Sequence, residues 1–291
     1  MPHLDANGLR FHVQVLRDTH ADDDGDMTDA SANGSGTHLA AGARPKVVML
    51  HGLIADNLSS YYYTLANPMA LHADTYLYDL RGHGRSDVPK TGYAVVDHVA
   101  DLRALLAAWE IDEPVHLVGN SFGAVVVLTY AHLYPGRVAS LTLIEGHFAT
   151  EGWGEHMAGS LALAAFGLDE VGVKDWLERN GSRKLNRLAR HSERLFLETS
   201  LIDELGLEQP FPRQALAAID CPVLAIYGEQ SDLLDRAAEL ERHLPRCDLH
   251  VVPGCTHSVL FEATPLVREL TLGWVQGLTS GRAPGTDTGA G

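Results

Sequence analysis

The sequence predicts an α/β protein whose mostly parallel sheet is covered by helices on both faces. Three observations predict it. Short apolar runs of the buried-strand type recur along most of the chain. They alternate with longer stretches whose apolar residues fall at helical spacing. One such run, Val115-His116-Leu117-Val118, passes directly into Gly119-Asn120-Ser121-Phe122-Gly123 and then Ala124-Val125-Val126-Val127-Leu128. That is a strand running into a helix with a serine at the corner, the signature of a nucleophile elbow. Glycines on either side of such a serine spare the tight turn a collision, because they carry no Cβ.

The elements follow in order. Asn7-Gly8 predicts a type I′ hairpin between a short strand near 2–6 and a longer one near 9–16. Residues 17–45 hold many Asp, Gly, Ser, Thr and Ala and few large apolar residues, which predicts a flexible insertion. Val47-Val48-Met49-Leu50 and Thr75-Tyr76-Leu77-Tyr78 read as strands with a helix between them. Val95, Val99, Leu102, Leu105 and Leu106 lie at helical spacing within 95–109. The elbow strand, a helix over 122–133 and a strand over 138–144 come next. Residues 146–211 break the alternation with helical signal alone. It resumes with a strand at 223–227, a helix near 234–243, a strand near 248–252 and a last helix over 264–278. The expected organisation is a core of 1–145 and 212–278, a helical cap of 146–211 and a disordered tail of 279–291.

Composition narrows the function classes. A formal net charge of -16 argues against nucleic acid or an acidic membrane surface as partner. No apolar run approaches the roughly 18–20 residues that span a bilayer, and the first residues lack the pattern of a signal peptide. A cytoplasmic enzyme is expected. Cys221, Cys247 and Cys255 show no close pairing, which suits a reducing compartment. The sixteen histidines are scattered without metal-ligand spacing, so no metal and no cofactor is expected.

A serine hydroxyl needs a base in hydrogen-bond reach, and the base needs an orienting acid. Both are present beyond strand ends, where open α/β sheets bind ligands. His257 follows the strand at 248–252 and is the expected base. Asp232 follows the strand at 223–227 and is the expected acid. Glu145, just after the strand at 138–144, is the alternative. The backbone N–H groups of Phe122 and of Leu53, in the loop after the first parallel strand, are the expected oxyanion donors. His51 reads as structural, because it has no matching acid.

Five motifs carry a resemblance. They are His51-Gly52, Asp79-Leu80-Arg81-Gly82-His83-Gly84-Arg85-Ser86, the elbow at 119–123, Asp232 and His257. On these the chain resembles the α/β-hydrolase superfamily over residues 46–278. The resemblance implies an eight-stranded sheet with an antiparallel second strand and a cap inserted after the sixth. The elbow is also similar to that of meta-cleavage-product C–C hydrolases. Ala124 and the stretch Leu53-Ile54-Ala55-Asp56-Asn57 depart from that subgroup, and Ser121 disfavours haloalkane dehalogenation.

The expected reaction is cleavage of a small-molecule ester or thioester through an acyl-enzyme. Acyl transfer, cyclisation and C–C hydrolysis by the same residues are alternatives, as is a non-hydrolytic ligand-binding or cyclase protein on this scaffold. Ile54, Phe148, Trp153, Met157 and Phe166 are expected to line an apolar substrate pocket, with Trp176 nearby. Arg183, Arg187, Arg190 and Arg194 share one helical face, which suggests a carrier-bound or other anionic acyl substrate.

Overall fold

The computed structural model describes residues 2–18, 44–54, 56–169 and 183–281. Eight strands form one sheet: β1 (His3–Ala6), β2 (Leu9–Leu16), β3 (Lys46–Leu50), β4 (Asp74–Tyr78), β5 (Val115–Asn120), β6 (Val138–Ile144), β7 (Val223–Gly228) and β8 (Cys247–Val252). Their order is β1-β2-β4-β3-β5-β6-β7-β8. β2 runs antiparallel to both β1 and β4, and β3 to β8 are mutually parallel. Asn7 and Gly8 turn the first hairpin with φ of 47° and 74°, as a type I′ turn requires.

The apolar runs are continuous because both faces of the sheet are covered. In β3, Val48 and Leu50 join one core cluster while Val47 and Met49 join the other. In β7, Val223, Ala225 and Tyr227 face the first cluster, and Leu224 and Ile226 the second. Helices Val95–Ala108 and Phe122–Leu133 cover the first face. Helix Thr264–Thr279 and the helical segment that begins at Ser59 cover the second. That segment contains a π-turn at Tyr62–Ala66 before it closes with Asn67–Ala70.

Register aligns the site. Leu50 pairs with Gly119, and Asn120 with Ile144, so β3, β5 and β6 end side by side. Between β6 and β7 the described elements are helices: Trp153–Asp169, Arg183–Leu197, Leu201–Gly206 and Arg213–Leu216. The final helix runs through Thr279, one residue into the expected tail. Residues 19–43 of the expected insertion and 282–291 of the tail lie outside the described residues, as do Ala55 and Trp176. Among the described residues no helix is long and apolar enough to cross a membrane.

Candidate active site

Ser121 stands at the corner between β5 and its helix with φ 52° and ψ −117°, a region that non-glycine residues rarely occupy. The two flanking glycines are required by space. A Cβ on Gly119 would sit 2.5 Å from the Ala124 backbone, and one on Gly123 would run into the Leu50 carbonyl. The Ser121 N–H donates to the Ile144 carbonyl at 2.9 Å, which ties the elbow to the end of β6. Ala124, the departure noted in the elbow, is matched across the sheet. Its methyl occupies the space that a Cβ on Gly146 would need.

His257 Nε2 lies 3.1 Å from Ser121 Oγ. Its Nδ1 lies 3.2 Å from Glu145 Oε2. This corrects the expectation for Asp232, since the carboxylate on the base is the one after β6. The reason lies in the loop after β7. Gly228 N–H and Ser231 Oγ–H donate to Glu145 at 2.6 and 2.5 Å, so that loop holds the neighbouring strand's acid. Glu145 is fully buried, with φ 51°. Tyr227 Oη–H donates to the next carbonyl, that of Gly146. Asp232 is instead exposed and lines the cavity in front of His257.

The hydrogen bond that His257 donates to Glu145 holds the His257 pKa above 6.5. The Glu145 and Asp232 charges act in the same sense, and partial burial opposes them. With Nδ1–H donated to Glu145, Nε2 is left as the acceptor facing Ser121.

The loop after β3 carries the expected oxyanion donor. His51 is buried, sharing Nδ1–H with the Gly52 carbonyl at 2.7 Å and accepting the Leu80 N–H at Nε2 at 3.0 Å. His83 accepts the Ile54 N–H at 2.8 Å and donates from Nδ1 to the Arg81 carbonyl at 2.9 Å. Burial and the neighbouring His51 push the His83 pKa down to about 3, so it serves as a neutral acceptor. The clamp holds Ile54 at φ 65°. Among the described residues, no acceptor takes the N–H of Leu53 or of Phe122. The role of His83 was visible in sequence only as membership of a motif. Its bond partner, twenty-nine residues away, was not.

A cavity of about 710 Å³ joins Leu53, Ser121, Phe122 and His257 to Trp153 and Met157 of the first helix after β6. Such a volume suits a small molecule. Three expected pocket residues lie elsewhere. Ile54 is half-buried against the core, with its backbone N–H held by His83. Phe148 is buried against Phe211, with ring centres 6.3 Å apart. Phe166 is 67% exposed, on the side of its helix away from Trp153 and Met157. His147 and His156 also line the wall, together with Arg236, which sequence reasoning missed. His147 is locked neutral. It donates to the Phe148 carbonyl and accepts from Trp153 Nε1–H at 3.1 Å, while burial lowers its pKa.

Of the arginine stripe, Arg190 and Arg194 are exposed on helix Arg183–Leu197, and Arg194 pairs with Glu198 at 3.3 Å. The side chains of Arg183 and Arg187 lie outside the described residues. Among the described residues, no group of three or more His, Cys, Asp or Glu side chains is placed to hold a metal ion.

Comparison with known proteins agrees with this architecture. An uncharacterized protein of Mycobacterium tuberculosis is 33% identical over 38% of this chain and 32% of its own length, so the chain spans about a third of that relative. A monoacylglycerol lipase of Mycolicibacterium smegmatis is 27% identical over 80% of this chain and 88% of its own. Among solved structures, a thermophilic esterase from Thermogutta terrifontis superposes with a TM-score of 0.69. It is 18% identical and covers 96% of this chain and 98% of its own. The description "alpha/beta hydrolase fold" matches residues 45–201, more than half of the 291 residues and the segment that carries β3 through β6 with the elbow. On that match and this sheet order, the chain belongs to the alpha/beta hydrolase fold family.

Proposed function

We propose that the chain is a serine hydrolase that cleaves a carboxylic ester or thioester through an acyl-enzyme. The observation that carries this is the continuous relay from Ser121 Oγ through both nitrogens of His257 to buried Glu145. Ser121 Oγ attacks the acyl carbon as His257 Nε2 takes its proton. Glu145 holds the tautomer and stabilises the imidazolium. The free N–H groups of Leu53 and Phe122 receive the oxyanion. Collapse breaks the bond to the leaving alcohol or thiol, which takes the proton from His257. Water, deprotonated by His257, then releases the acid and restores Ser121.

The test is intact-protein mass spectrometry after exposure to a small fluorophosphonate. A single adduct on the wild type, absent from Ser121→Ala, is the expected result. An unlabelled, folded wild type, or equal labelling of both proteins, refutes the assignment of Ser121 as nucleophile. A panel of esters and thioesters of graded chain length then separates the two leaving-group classes.

A further inference from the structure

We infer that the carboxylate of Asp232 makes this cavity selective for esters whose alcohol part carries an ammonium group. The inference rests on the hydrolase reading above and names its substrate class. It starts from a displaced residue. Asp232 occupies the post-β7 position where sequence reasoning expected the orienting acid, yet His257 Nδ1 is taken by Glu145. Asp232 is left facing the same cavity as Ser121 and His257.

The charges around that cavity do not cancel. Arg236 lines it one turn beyond Asp232, and its guanidinium lies 3.5 Å from Glu239, a carboxylate that Arg213 also contacts at 3.3 Å. Asp232 has no ion-pair or hydrogen-bond partner among the described residues, and neither has Glu151, which also lines the cavity. His147 adds no compensating charge, because it is held neutral by Phe148 and Trp153. His156 also lines the wall, and His257 is neutral in the form that accepts the serine proton. Asp232 and Glu151 against the one Arg236 leave the formal charge of the lining negative.

Aromatic rings complete the setting. Trp153 and Phe122 line the same cavity, and the hydrogen bond to His147 fixes the indole. A cavity lined by both aromatic rings and a carboxylate suits a substituted ammonium group. The side of the cavity follows from the loops. The Gln230 N–H donates to the Cys255 carbonyl at 2.8 Å, so the loop that carries Asp232 lies against the loop that carries His257. His257 hands the proton to the leaving alcohol, so a cation held by Asp232 belongs to the alcohol rather than to the acyl chain.

The experiment compares two esters of equal shape, hexanoylcholine and 3,3-dimethylbutyl hexanoate, at a pH where His257 is neutral. The expected wild-type preference in kcat/KM for the cationic ester is about two- to fivefold, the size of one partly exposed ion pair. Asp232→Asn should bring the ratio close to one, and Asp232→Glu should retain part of it. Hydrolysis of both esters by the wild type without preference overturns the inference and leaves the hydrolase reading standing. Equal losses on both esters in Asp232→Asn also overturn it, because they mark a residue that positions His257. Turnover of neither ester by a protein that labels at Ser121 overturns it as well.

Discussion

At the scale of single residues, the acid is the decisive assignment. Glu145→Gln keeps the shape of the site but removes the charge that holds His257 in its working tautomer. The expected loss in kcat/KM is about 10³–10⁴-fold, by analogy with the amide substitution of a triad aspartate. Asp232→Asn should cost far less on a neutral ester. The reverse ranking, measured on purified folded variants, would sink the Glu145 assignment. The pH profile gives a second reading. Catalysis needs neutral His257, whose folded pKa lies above 6.5 because Glu145 and Asp232 favour its charged form. Activity should therefore rise through an apparent pKa above 6.5, and Glu145→Gln should move that limb to lower pH. An unshifted limb in Glu145→Gln would mean that another group governs it. Sequence alone offered both carboxylates at the ends of adjacent strands. What separated them was the direction of the post-β7 loop, whose Gly228 N–H and Ser231 hydroxyl turn back onto Glu145. Neither bond has a local sequence signature.

At the scale of elements, the elbow and the loop after β3 act as one unit. The Leu50 carbonyl packs where a Gly123 side chain would be. Gly123→Ala must therefore move backbone, not a flexible side chain, and should cost about 2 kcal/mol or more. A urea midpoint equal to that of the wild type would show that the contact is relieved cheaply. His83→Ala removes the acceptor of the Ile54 N–H and frees a loop held at a positive φ. The loop carries the Leu53 N–H, so kcat should fall more than KM rises. A change confined to KM would place the effect in binding instead. The elements themselves were readable because their signals are local. Asn7-Gly8, the apolar runs and the glycines around Ser121 each state their own backbone geometry. Pocket lining was less readable, because it depends on how a helix is rotated. Trp153 and Met157 share a face, whereas Phe166 comes round to the other side.

At the scale of the whole molecule, the topology separates the segment between β2 and β3 from the chemistry, and the buried imidazoles tie stability to pH. Burial lowers the pKa of His116 to about 4 and that of His98 well below 6.5, while His83 falls to about 3 through burial and its neighbour His51. These neutral rings favour the fold fully above pH 6.5. Below it the unfolded chain takes up protons that the folded one refuses. Each such site removes up to about 1.4 kcal/mol per pH unit down to its own folded pKa. His257 acts in the opposite sense, its raised pKa favouring the fold at low pH. His98 has two buried ring nitrogens without partners among the described residues, so His98→Leu should flatten the acid slope of the urea midpoint between pH 6.5 and 4.5. A slope as steep as the wild type's would count against His98. The segment between β2 and β3 is judged by where it leaves the sheet. Leu16 pairs with Thr75 and Lys46 with Asp74, at the start of β4. Arg17 and Arg44 both reach Asp74 there, so the two ends are pinned together at the sheet edge where the parallel strands begin. Ser121, Glu145 and His257 all follow strand ends at the opposite edge. Replacing 19–43 by a short Gly-Ser linker should leave kcat/KM within about tenfold, roughly 1.4 kcal/mol in the barrier. A greater loss in a protein with unchanged thermal stability would show that the segment reaches round to the catalytic edge.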